Sequence, residues 1–140
     1  MQAKTTLAPG LEISRIVTGL WQIADMERDG KTLDPHQTAQ YMEAYLEQGF
    51  STFDMADHYG SSEIIAGTFK QGLGDRTSVQ LFTKWVPKPG KISREDVRAA
   101  IQKALDRMQV ESIDLLQFHA WYYPDPSWLD GLFYLMELYE

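Results

Sequence analysis

The chain has 140 residues, 44% of them hydrophobic and 12% aromatic, which suits one domain with a real core and argues against disorder. Its 13 Lys and Arg against 20 Asp and Glu leave a formal charge of −7, which disfavours a nucleic-acid backbone or an anionic membrane surface as partner. There is no cysteine for a disulfide or thiolate site, no long uncharged apolar run for a membrane span, and no apolar signal-peptide core in residues 1–6, so a soluble cytoplasmic protein is the expectation.

Pro9-Gly10 punctuates two short runs, Thr5–Leu7 and Leu11–Ile13, and predicts a small N-terminal hairpin. Residues 16–21, Ile-Val-Thr-Gly-Leu-Trp, read as a buried strand. Asp34-Pro35 is a helix start, with Asp as N-cap and Pro at the first helical position, where its missing N–H is not needed. Ala39, Met42, Tyr45 and Leu46 follow at helical spacing, and Gly49 is placed to end that helix. Phe50–Phe53 then predicts a short strand that runs into Asp54.

Ser61-Ser62-Glu63 is expected to open the next helix, with Ile64, Ile65, Ala66 and Phe69 behind it and Gly72 or Gly74 as the stop. The Gly72-Leu73-Gly74 tripeptide follows a helix and not a strand, so it reads as a helix stop and not as a phosphate loop. Val79–Thr83 is a third strand ending at Lys84, followed by a loop with Pro87, Pro89 and Gly90. Ser93 and Asp96 resemble a capping box ahead of a helix whose apolar face is Val97, Ala100, Ile101, Ala104, Leu105 and Met108. Ile113–Phe118 predicts a fourth strand ending at His119, and Ser127 is expected to cap a final helix from Trp128 to Glu140.

Alternating strands and helices imply an α/β fold with parallel strands covered by helices. Three strands end in polar residues of different kinds, Asp54, Lys84 and His119, spaced 30 and 35 residues apart, each about one strand-helix repeat. Parallel strands present their C-terminal ends on one face, so a carboxylate, an ammonium and an imidazole are expected to meet there, with Tyr59 in the loop after Asp54. Such a set suits proton transfer. A tyrosine hydroxyl with the ordinary pKa of about 10 is a poor acid near neutral pH, and an ammonium beside it favours the phenolate. A carboxylate would hold that ammonium, and a neutral imidazole would donate to a carbonyl oxygen. Taken singly, each residue also reads as packing, a snorkelling lysine or a turn cap. The three histidines, His36, His58 and His119, lie on different elements without metal-ligand spacing, so no metal is expected.

Residues 49–63, Gly-Phe-Ser-Thr-Phe-Asp-Met-Ala-Asp-His-Tyr-Gly-Ser-Ser-Glu, with Gly67 following, resemble the signature of the aldo-keto reductase family. Phe82-Thr83-Lys84 and Leu115-Leu116-Gln117-Phe118-His119 resemble that family's next two active-site strands, in the same order, and the likeness extends over essentially the whole chain. Met55 departs from the small residue usual after the Asp and is expected to crowd the loop.

The resemblance implies a (β/α)8 barrel that reduces a small-molecule carbonyl with NADPH. Tyr59 would be the general acid, Lys84 its partner, Asp54 the partner of Lys84, and His119 the orienting donor. Gly19, Leu20, Trp21 and Asp54 would lie at the nicotinamide, and Trp21, Trp85 and Trp121 would line an apolar substrate pocket, against ordinary core packing for the last two. Such a barrel needs about 250 residues. The 140 residues are therefore expected to be a single partial domain: a hairpin plus four β/α units, the N-terminal half of the barrel, ending inside the fourth helix. In the family the other half carries most of the NADP site. A half barrel exposes two strand edges and an apolar inner face, which predicts self-association. Family relatives that serve as channel-associated subunits supply the alternative, a non-catalytic chain that binds a partner through that face.

Overall fold

The structure, a computed structural model, describes residues 3–25, 31, 33–76 and 78–139. The elements follow the expected order: β1 (Lys4–Ala8), β2 (Leu11–Ser14), β3 (Thr18–Gly19), α1 (Pro35–Glu47), β4 (Thr52–Asp54), α2 (Ser62–Leu73), β5 (Gln80–Trp85), α3 (Arg94–Met108), β6 (Leu115–Phe118) and α4 (Trp128–Met136). Strands β1 and β2 pair antiparallel across Pro9-Gly10, where Gly10 adopts φ of 79°. The hairpin is tied to the start of β4 by reciprocal bonds. Ser14 N–H donates to Thr52 Oγ1 at 2.9 Å, and Thr52 N–H donates to Ser14 Oγ at 3.1 Å.

The other four strands form one parallel sheet in the order β3-β4-β5-β6, each pair separated in sequence by a helix. The architecture is α/β: a hairpin and four parallel β/α units, as in part of a (β/α)8 barrel. Because side chains alternate along a strand, Phe53 and Leu81 point toward the helices. There they meet Met42 of α1, Ile65 and Phe69 of α2 and Met108 of α3 in the main core. Trp85, Ile92 and Val97 form a second cluster with Phe118 and with Tyr134 and Leu135 of α4. The opposite face is joined by polar side chains instead: Thr52 Oγ1 donates to Gln80 Oε1 at 3.2 Å, and Lys84 and Gln117 both reach Asp54.

Helix ends follow local chemistry where the partner lies nearby in sequence. Asp34 Oδ1 accepts from His36 N–H at 2.9 Å, Gly49 leaves α1 with φ of 88°, and Gly74 ends α2 with φ of 54°. The Ser93–Asp96 capping box is present in full.

Three expectations are corrected. The strand expected over residues 16–21 is only Thr18–Gly19, and Ile16 is 64% exposed. Among the described residues this strand is paired on one side, through Thr18↔Phe53 and Gly19↔Asp54, and no described element on its other side buries the residues before it. For the same reason Tyr45, expected on the apolar face of α1, is largely exposed, beside a cavity of about 240 Å³ between β3 and α1. Ser61 opens α2 as its N-cap residue, as expected, and its backbone N–H donates to Asp25 Oδ1, from the loop after β3, at 2.7 Å. Finally, Ser127 does not cap α4 but turns its hydroxyl onto Asp125 Oδ1 at 2.6 Å, and the helix ends at Met136. Its last turn tightens through Leu138 N–H to Leu135 O at 3.0 Å, while Glu137 is held by Arg94 through two bonds of 2.8 Å. Glu140 lies outside the described residues.

Candidate active site

The C-terminal ends of β4 and β5 and the loop after β4 bring three of the four expected groups into one cluster. Lys84 Nζ donates to Asp54 Oδ2 at 2.5 Å and to the Met55 carbonyl at 2.7 Å, and it lies 5.1 Å from the centre of the Tyr59 ring. The register explains this: Asp54 pairs with Phe82, so Lys84 stands one inward position beyond it on the neighbouring strand. Tyr59 is half-buried, its ring edge-on to Trp21 at 4.8 Å and 90°. His119 follows at the end of β6, its N–H donating to Trp85 O at 2.9 Å and its imidazole stacked on Trp121 at 4.7 Å and 17°. Among the described residues its ring is bonded to none of the other three.

Gln117 belongs to the same cluster and was not singled out from the sequence. Its Nε2 donates to Asp54 Oδ1 at 2.8 Å, so both carboxylate oxygens of Asp54 are engaged, one by the ammonium and one by the amide. The signal was available. Gln117 stands two residues before His119, hence on the same face of the strand.

That alternation also separates the tryptophans. Lys84 points inward, so Trp85 points to the helix layer, where it is 8% exposed and packs 5.5 Å from Phe118. The expectation that Trp85 lines the site is therefore corrected to core packing. Trp121 is 65% exposed beside His119, and Trp21 is half-buried against Tyr59. Gly19 leaves open space at the end of β3, with no atom within 4 Å of where a Cβ would stand. Leu20 donates its N–H to Asp54 O at 2.8 Å but commits its side chain to the main core, so only its backbone borders the site. Met55 does not crowd the loop as expected. Its side chain is fully buried in the main core and only its carbonyl reaches Lys84.

The loop carrying Tyr59 is knitted to β5: Met55 N–H donates to Phe82 O and Asp57 N–H to Lys84 O, both at 2.9 Å, and Val86 N–H donates to Asp57 Oδ2 at 3.2 Å. Behind it, Glu63 on the first turn of α2 is buried and accepts from Thr83 Oγ1 at 2.7 Å. Burial pushes the Glu63 carboxyl above the usual glutamate range, against the opposing pull of the Thr83 hydroxyl and the Arg107 guanidinium. A carboxyl whose folded-state pKa is raised contributes stability below its unfolded value and loses it as pH rises through the folded value. Glu63→Gln, which cannot ionise, should therefore lose less stability than the native chain between about pH 4 and pH 7. Urea unfolding across that range checks it, and parallel curves for the two proteins would refute it.

The sequence pattern of the Aldo/keto reductase family matches residues 15–140. The 6-dehydroglucose reductase of Agrobacterium fabrum is 33% identical over 138 residues, covering 88% of this chain and 44% of that protein. Aflatoxin B1 aldehyde reductase member 2 of Rattus norvegicus is 36% identical over 95 residues, covering 65% of this chain and 26% of that protein. In fold, a thermostable aldo-keto reductase solved with the inhibitor epalrestat superposes with a TM-score of 0.75 at 22% identity, over 98% of this chain and 49% of its own. The Bombyx mori aldo-keto reductase solved with NADP gives 0.64 at 21% identity, over 99% of this chain and 48% of its own. The chain thus spans about half the length of these solved structures and less than half of these curated relatives. The match over nearly all of its length shows that this chain belongs to the aldo/keto reductase family.

Proposed function

We propose that this chain carries the proton-donating part of a site that reduces an aldehyde or ketone to an alcohol with NADPH. The observation that carries the reading is Lys84, held by Asp54 and the Met55 carbonyl and standing 5.1 Å from the Tyr59 ring. Tyr59 is the general acid that gives its phenolic proton to the carbonyl oxygen as carbon becomes an alcohol carbon. The Lys84 ammonium stabilises the phenolate left behind, and Asp54, oriented by Gln117, keeps that ammonium in place. His119 donates a hydrogen bond to the same carbonyl oxygen and fixes its direction.

The residues at the end of β3 fit one edge of a nicotinamide ring: Gly19 leaves open space there, Trp21 offers a flat apolar surface, and Asp54 pairs with Gly19 in the register. When bound, the reduced nicotinamide supplies the hydride that completes the reduction at carbon. Gly19, Trp21 and Asp54 would hold that edge. Trp21 and the exposed Trp121 favour a ring-bearing carbonyl compound as substrate, in keeping with relatives named for the reduction of 6-dehydroglucose, aflatoxin B1 aldehyde and pyridoxal. No described helix is long and apolar enough to cross a membrane, and a cytoplasmic setting suits this chemistry.

A second reading is a non-catalytic family member that binds a partner, or a second copy of itself, through the inner face. The observation that favours it is that, among the described residues, β3 pairs with β4 alone and β6 with β5 alone. Titrating NADPH into the purified chain, followed by energy transfer from tryptophan to the cofactor, separates the two. Saturable binding in the micromolar range is expected from the first reading. A folded sample that binds nothing at millimolar cofactor would favour the second.

A further inference from the structure

The loop bearing Tyr59 is gripped from behind by charged groups that take no part in the proton transfer. Glu63 is 1% exposed, and its Oε2 lies 3.1 Å from Arg107 Nη1, an ionic contact without hydrogen-bond alignment. The guanidinium directs its hydrogen bonds elsewhere. Arg107 Nη1 donates to the Asp57 carbonyl at 3.0 Å, and Nη2 donates to the Gly60 carbonyl. One planar fork, charge-balanced by a buried carboxylate, therefore spans residues 57–60 with Tyr59 between its two contacts.

The reach of Arg107 depends on how closely two helices cross. Gly67 lies one turn after Glu63 on the same face of α2. A Cβ at Gly67 would stand 2.6 Å from backbone atoms of Met108 and 2.7 Å from the Arg107 carbonyl. With no side chain there, the backbone of α3 rests directly on α2, and that contact places Arg107 over Glu63. The far end of the loop is held independently. Asp25 Oδ1 accepts from Ser61 N–H at 2.7 Å, and a Cβ at Gly60, where φ is 49°, would fall 1.9 Å from that oxygen.

We infer that Glu63 and Arg107 are positioning residues, a brace set by the helix crossing at Gly67 that fixes the 57–60 loop and thereby aims the Tyr59 hydroxyl. A buried carboxylate is expensive to desolvate and adds no apolar packing, so its pairing here is better explained by what Arg107 does than by core stability. Only arginine carries a rigid fork able to span two carbonyls, whereas a lysine would supply the charge at a single point. Electrostatic neutralisation thus serves geometry, and the geometry is that of a loop with one reactive side chain.

The inference rests on the reading of Tyr59 as the acid, and its test is built so that the two fail separately. In the intact protein, Arg107→Met should speed amide exchange at Tyr59, Ser61 and Ser62 by about ten- to a hundred-fold, the range for losing charge-assisted hydrogen bonds. Exchange in β5 and β6 should stay slow. The kcat for NADPH-dependent carbonyl reduction should fall by about a hundred-fold with KM for the cofactor little changed, as for a reacting group displaced by an ångström or so. Arg107→Lys should restore thermal stability but not loop protection, because it returns the charge without the fork. Gly67→Ala keeps both charged groups, separates the helices, and should loosen the same amides, which covers the case in which Arg107→Met fails to fold. Unchanged exchange at residues 59–62, or equal acceleration throughout the chain, would overturn the brace. If loop exchange accelerates while Tyr59→Phe retains full activity, the brace stands and the reading of Tyr59 falls.

Discussion

Tyr59→Phe should lower kcat for carbonyl reduction by about 10²- to 10⁴-fold, the span contributed by a general acid, with NADPH affinity unchanged. The substitution removes one hydroxyl and retains the ring, so the edge-on contact with Trp21 at 4.8 Å and the packing on the main core survive. Thermal stability should therefore stay close to native. Steady-state oxidation of NADPH reads the rate, and tryptophan-to-cofactor energy transfer reads the binding. A kcat within twofold of native would mean that another group delivers the proton.

Lys84→Met should damage both function and stability. It removes the ammonium beside Tyr59 and leaves Asp54 Oδ2 and the Met55 carbonyl without their donor. Breaking a fully buried pair costs about 3–5 kcal/mol. The side chains here are 14% and 25% exposed, so screening reduces the expected loss to about 1–3 kcal/mol. Catalysis should fall by about 10²-fold or more, because the phenolate loses its counter-charge. Adding Asp54→Asn should recover part of the stability, since the orphaned carboxylate becomes a neutral amide, and should recover none of the activity. Urea unfolding and kcat on the two single variants and the double variant form a complete cycle. Full stability in Lys84→Met alone would show that the pair contributes nothing to folding.

Much of this protein can be read from local sequence, because the forces involved act within a few residues. Alternating apolar runs and amphipathic stretches set the order of strands and helices. Asp34, Gly49, Gly74 and the Ser93–Asp96 box place helix ends with partners no more than a turn away. The repeat of about one strand and helix between Asp54, Lys84 and His119 was enough to place all three at one edge of a parallel sheet, because parallel strands share a direction. Trp85 could have been sorted in the same way: in a strand, the neighbour of an inward lysine points outward, and the structure buries it against the helices.

The tertiary structure alone decided the contacts that depend on how elements cross. Ser61 opens α2 as its sequence suggests, yet the acceptor of its N–H is Asp25, 36 residues away, delivered by the loop after β3. Gln117 joins Asp54 across 63 residues, and Arg107 reaches the Asp57 carbonyl across 50, neither with a local signature. Ile16 and Tyr45 are apolar by type and exposed by position, because no described strand pairs with the outer side of β3. The physical reason is common to all of them. Propensity, capping and alternation are properties of a short segment, whereas burial at an edge and hydrogen bonds between loops are set by distances that exist only once the helices have packed.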